Sequence, residues 1–110
     1  MEPARINGLE DGRRQLAAAR EAGARVSLAS LADGALSGGA AWFAAIEAEL
    51  RAEFPDTLAE MVLDCGDCPG AALGALRAGV KTIAYAGPDR ARMRAAAASV
   101  GAKLAEPAGG

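Results

Sequence analysis

Three short stretches of the chain, REAGARVSLAS, LRAGVKTIAYAG and ASVGAKLAE, follow one plan. Each ends an alanine-rich helical run with a glycine (Gly23, Gly79, Gly101), then a small apolar residue, a basic residue (Arg25, Lys81, Lys103) and an apolar stretch. Glycine suits the left-handed position just past a helix, and the basic residue complements the negative end of the helix dipole. The pattern predicts a helix-to-strand joint used three times. It is a motif of packing and does not by itself establish a duplication.

The strands that follow these joints are expected at Arg25–Ser30, Lys81–Ala86 and Lys103–Ala105, with another at Glu60–Asp64. Helices are expected over Leu9–Ala22, with Glu10 and Arg14 paired at i,i+4, and over Gly39–Phe54, where Phe43, Ile46, Leu50 and Phe54 recur at helical spacing. Two more are expected over Pro69–Ala78 and Pro88–Val100, whose prolines sit near helix starts, where a missing N–H costs nothing. In these two, Leu73, Leu76, Met93, Ala97 and Val100 should face inward, and Gly70 with Gly74 should allow close packing. The order αβαβαβαβ predicts a single α/β domain over residues 1–110, with a four-stranded, mainly parallel sheet flanked by Ala-rich helices. Residues 1–5 and 106–110 are read as frayed tails. Strand order stays open between an open sheet with helices on both faces and half of a closed α/β barrel with helices on one.

Composition narrows the function. Of the 110 residues, 52% are apolar but only 4% aromatic, and the net charge is −2. A basic stripe interleaved with aromatics is missing, which argues against nucleic acid as a partner. No apolar run reaches the ~18 residues of a membrane span, and MEPARINGLEDGRRQ is too polar for a signal peptide, so a cytoplasmic location is expected. Histidine is absent. That removes Ser-His and Cys-His triads and leaves Asp, Glu, Cys, Tyr and Lys for acid–base work.

In a parallel α/β sheet, ligands sit at the carboxyl ends of the strands. Three loops should reach that edge: LADGALSGG (31–39), DCGDCPG (64–70) and AGPD (86–89). They would carry Asp33, Asp64, Asp67 and Asp89 there, while Arg25, Lys81 and Lys103 mark the opposite edge. The SGG of residues 37–39 opens a helix, and its N–H groups could cradle a phosphate, although Ser37 also reads as an ordinary N-cap. The ligand-binding candidates are therefore Ser37, Gly38, Gly39, Asp64, Asp67 and Asp89.

The CGDC of residues 65–68 resembles the Cys-X-X-Cys of thioredoxin-like proteins, which also lies between a strand and a helix. The resemblance covers Cys65 to Cys68. It implies a thiol-disulfide oxidoreductase using these two cysteines; Cys65, Cys68 and, apart from the resemblance, Asp64 are the catalytic candidates. Asp64 stands where that family carries Trp, Asp67 where it carries Pro, and both carboxylates oppose formation of a thiolate on Cys65. One CxxC supplies only two of the four ligands of a closed zinc site, so no metal and no cofactor are expected. Asp64 and Asp67 would suit Mg²⁺ better, and a Mg-assisted enzyme is the weakest of the alternatives. The leading expectation is a non-enzymatic α/β module that binds a small molecule at the carboxyl edge, acts through homodimer formation, or both.

Overall fold

The computed structural model describes residues 3–31, 34 and 39–105. Its elements alternate in chain order as β1 (Ala4–Ile6), α1 (Leu9–Glu21), β2 (Val26–Ser30), α2 (Ala40–Glu53) and β3 (Leu58–Asp64), then α3 (Pro69–Arg77), β4 (Thr82–Ala84), α4 (Arg90–Ser99) and β5 (Lys103–Leu104). All five strands are parallel and lie in the order β1-β2-β3-β4-β5. The α/β class and parallel sheet match the expectation, with one strand more than the four expected. That strand is β1. Ala4 and Arg5, read as part of a frayed tail, instead pair with Leu28 and Ala29, and Ile6 pairs with Ser30. Three residues carry little local signal. They form a strand because the free edge of β2 offers them backbone partners. Residues 1–2 and 106–110, also read as tails, lie outside the described residues.

The three joints are Schellman motifs. Gly23, Gly79 and Gly101 have φ of 68°, 93° and 74°. Each glycine N–H donates to the carbonyl three residues back (Arg20, Leu76, Ala98), and the next N–H donates to the carbonyl five back (Ala19, Ala75, Ala97). This pairing satisfies the carbonyls a helix end leaves open. Because a Cβ in left-handed backbone costs ~1–2 kcal/mol, Gly79→Ala is expected to lower the unfolding free energy by about that much. Gly74→Ala is the control. Gly74 lies inside α3, and an added Cβ there meets nothing within 4 Å, so the change should be neutral or stabilising. Urea midpoints of the two variants check the pair.

Sequential strand order decides where the helices go. Every crossover steps one strand in the same direction, and right-handed crossovers then place all the helices on one face of the sheet. Consistent with this, α1 packs on α2, α2 on α3, and α3 on α4, each also touching its own strands. Among the described residues this is the half-barrel arrangement, one layer of four helices on one layer of five strands. Beneath the helices lies a single core that includes Ile6, Leu28, Met61, Leu63, Ile83 and Leu104 from the sheet. Phe43, Ile46, Leu50 and Phe54 join it from α2, as their spacing requires. On α3, however, Ala72, Ala75 and Leu76 are the buried residues while Leu73 is exposed, and Val100, the C-cap of α4, is exposed whereas Met93 and Ala97 within the helix are buried. Alanines face the sheet because the helix lies close to it, and the larger side chains are left outside. Neither Gly70 nor Gly74 is a point of close approach.

Ion pairs tie α1 to α2. The Arg13 guanidinium bonds both carboxylate oxygens of Glu53, at 2.7–3.1 Å, and also Glu10. Arg14 instead takes Asp11. The expected Glu10–Arg14 pair is thus replaced, because Arg13 meets carboxylates on both helices at once.

Candidate functional site

The carboxyl edge is assembled from the ends of β1 to β4, and the described acidic residues expected there, Asp64, Asp67 and Asp89, do not converge on one centre. Asp64, the last residue of β3, accepts the Gly66 N–H at 2.9 Å and lies 3.4 Å from Arg5 on β1. Its own N–H donates to the Ser30 hydroxyl at 2.9 Å, which ties the ends of β2 and β3 together. Asp67 and Asp89 instead flank Tyr85, whose phenol donates to the Pro88 carbonyl at 2.7 Å. Burial, then the charges of Asp89, Asp67 and Cys68, raise that phenol above its ordinary value. The two loops touch so closely that a Cβ on Gly87 would sit 2.6 Å from the Asp67 carbonyl. Asp89 is the N-cap of α4 with φ 58°, and its side chain makes no cap bond. Gly39 caps α2 with φ 86°. Asp33, Ser37 and Gly38 lie outside the described residues.

The two cysteines are free thiols in unlike surroundings. Cys65 is fully buried, its sulfur 3.7 Å from the Leu63 carbonyl, while Cys68 is half-buried at the N-cap of α3. Burial first, then the charge of Asp64 and of Cys68, pushes the Cys65 thiol up to about 12. Such a thiol carries almost no thiolate at neutral pH, and the thiolate is the nucleophile. Among the described residues no three His, Cys, Asp or Glu side chains are placed to hold a metal ion. Asp64, the residue shared by the redox and Mg²⁺ readings, is engaged by Arg5 and Gly66.

What the edge does contain is a pocket of about 230 Å³, offset from the acidic residues toward β1 and β2. Its walls come from the β1–α1 turn (Ile6, Asn7, Gly8), from the chain after β2 (Ser30, Leu31, Gly34) and from α2 (Trp42, Phe43, Ile46). Ile6, Phe43 and Ile46 are buried core residues, so the inner surface is apolar. Leu31 is 50% exposed and Trp42 46% exposed. Of the expected ligand-binding set, the described members Gly39, Asp64, Asp67 and Asp89 are not among the lining residues, although Gly39 caps the helix that supplies Trp42. A signal existed in the sequence: Trp42, the only tryptophan, stands one place off the Phe43–Ile46–Leu50 stripe, so a large apolar ring had to sit beside the core rather than in it.

Of the described residues, no helix is long and apolar enough to cross a membrane. No protein-family model matches the chain, and no curated protein matches it.

Proposed function

We propose that this chain is a non-catalytic module that binds a compact, largely apolar small molecule in the pocket between the β1 and β2 ends and α2. One observation carries the reading: an apolar pocket at the ligand edge of a parallel sheet, with two large hydrophobic side chains left half-exposed beside it. Exposed Trp and Leu side chains cost solvation unless something covers them, and a ligand lying against Leu31 and Trp42 would do so. At about 230 Å³ the pocket falls below the roughly 300–1,000 Å³ of drug-sized sites, so the ligand is small. Binding is favoured over thiol–disulfide chemistry because Cys65 is buried and its thiol raised. A Mg²⁺ site is disfavoured because Asp64 and Asp67 occupy separate surroundings.

Trp42 serves as its own reporter, being the single tryptophan. Titration with toluene and with hexanoate should change its emission saturably, with a dissociation constant between about 10 μM and 1 mM. Ile46→Phe enlarges a pocket wall and should weaken binding about tenfold or more, the far-UV circular dichroism staying native. Emission that ignores both probes at millimolar concentration, or binding indifferent to Ile46→Phe, would discard this reading.

A further inference from the structure

The pocket beside β1 and β2 is lined by some of the scarcest side chains in the sequence. Trp42 is the chain's single tryptophan, Asn7 its single asparagine, and Phe43 one of two phenylalanines. Charged residues make up 24% of the chain, yet none of the described lining residues is charged. Two of the described lining side chains can both donate and accept a hydrogen bond, and one of them is already spent. The Ser30 hydroxyl donates to the Leu31 carbonyl and accepts the Asp64 N–H, each at 2.9 Å. The Asn7 carboxamide is exposed and makes no hydrogen bond among the described residues; only the backbone N–H of Asn7 is engaged, by Asp11 at 3.2 Å. An asparagine at a strand-to-helix turn usually spends its side chain capping the helix. Here Gly8 is the N-cap of α1 and no side chain bonds that helix end, so the carboxamide is left over at the rim of the pocket.

On the reading that this pocket is the binding site, we infer that its ligand is a neutral, flat compound of two fused rings with a lactam-type edge, an N–H beside a C=O, that pairs with the Asn7 carboxamide. Size sets the ring count. An apolar cavity of about 150 Å³ takes one benzene ring, and the volume here, about 230 Å³, leaves room for a second ring fused to it. Flatness follows from the aromatic walls: an aromatic ligand stacks on Trp42 or meets Phe43 edge to face, whereas a saturated one gains only from the area it covers. Neutrality follows from the lining, since no described lining residue offers a counter-charge. The edge follows from the carboxamide, whose NH₂ donates and whose C=O accepts side by side, the complement of a lactam. Pairing at the rim also orients the ligand. Its rings enter against Ile6, Phe43 and Ile46, which belong to the buried core, and its polar edge stays where water can reach it.

Calorimetric titration of the whole chain with three matched lactams tests each feature. 2-Quinolinone carries the flat rings and the intact edge, N-methyl-2-quinolinone lacks the N–H, and octahydro-2-quinolinone keeps the edge on puckered rings. 2-Quinolinone should bind more tightly than toluene or hexanoate, with a dissociation constant below about 10 μM. Each of the other two lactams should bind about tenfold more weakly. A methyl group also adds bulk, so Asn7→Ala separates the two causes. The variant should weaken 2-quinolinone about tenfold and leave the N-methyl compound within about twofold. Asn7 is exposed, so the fold should be kept, as far-UV circular dichroism would show. The comparison of the three lactams on the unaltered chain needs no variant at all. Either comparison lactam binding as tightly as 2-quinolinone would overturn the inference, as would an Asn7→Ala loss shared by the N-methyl compound. Toluene binding without 2-quinolinone binding would do the same, and in each of these cases the pocket remains a binding site. If neither toluene nor any lactam binds, the pocket reading itself fails and takes this ligand class with it.

Discussion

Alkylation of Cys65 in the folded chain is expected to run at least about a thousandfold slower at pH 7 than for the unfolded chain. A thiol raised from 9.0 to about 12 loses about three decades of thiolate, each unit being a factor of ten. Complete burial slows access further. Half-buried Cys68 should account for the label at native conditions, as mass spectrometry of iodoacetamide-treated protein would show. The same shift makes stability depend on alkaline pH, with a definite sign. The folded state holds the Cys65 proton more tightly than the unfolded state does. Its contribution is therefore fully present below about pH 9 and is lost as pH climbs toward 12. By pH 11 the loss should reach ~2–3 kcal/mol, with Tyr85, also raised by burial, adding in the same direction. Cys65→Ala should remove most of this slope in urea titrations between pH 8 and 11. Rapid modification of Cys65 at pH 6, or insulin reduction abolished by Cys65→Ser, would restore thiol–disulfide chemistry as the leading reading.

Phe54→Ala is expected to cost ~3–5 kcal/mol, the range for emptying a buried aromatic site. Phe54 is 6% exposed at the end of α2, packed in the core, with the Arg20 guanidinium 4.7 Å from its ring centroid. It is also the C-cap of α2, the place Ala22, Ala78 and Val100 hold at the other three helix ends, and is followed by Pro55 where those ends have glycine. Its N–H bonds the Leu50 carbonyl, and its own carbonyl accepts the N–H groups of Thr57 and Leu58, so the ring anchors the turn into β3. Against a total of roughly 5–15 kcal/mol for a domain, the variant should melt more than about 10 °C lower. Arg20→Gln, which removes only the stacked cation, should cost ~0.5–1 kcal/mol. A Phe54→Ala midpoint unchanged within error would mean that α2 does not anchor the core.

The residues that announced the fold did so because their reasons are local. A glycine past a helix end, a proline at its first turn and an apolar stripe along α2 each answer to backbone sterics or helical periodicity within a few residues. What stayed hidden depends on distant partners. Strand β1 exists only because β2 lies beside it. One-sided placement of the helices follows from strand order, and αβ alternation is equally compatible with helices on both faces. Leu73 and Ala75 exchange the roles that size suggests because the separation of α3 from the sheet, absent from any local pattern, decides which side chain fits. The site was legible as an edge and no further. Asp64, Asp67 and Asp89 do reach the carboxyl ends, but alternation along β3 and the turn after it send Asp64 toward Arg5 while Asp67 approaches Tyr85. The pocket draws its walls from three separated stretches, and only Trp42 hinted at it.

Strand order also governs how the molecule comes apart. Each strand pairs only with its chain neighbours, as Ala4 does with Leu28, Leu28 with Met61, Leu63 with Ile83, and Ile83 with Leu104. Among the described residues no sheet contact joins the first unit to the last, so the domain behaves as a short array whose cooperativity passes from neighbour to neighbour. Pairing is most extensive between β2 and β3 and slightest at two-residue β5. Opening should therefore begin at the ends and proceed inward. Each pairing must close a whole βαβ crossover before it is rewarded, which slows folding, and the β2–α2–β3 unit is the natural nucleus on which the outer units condense.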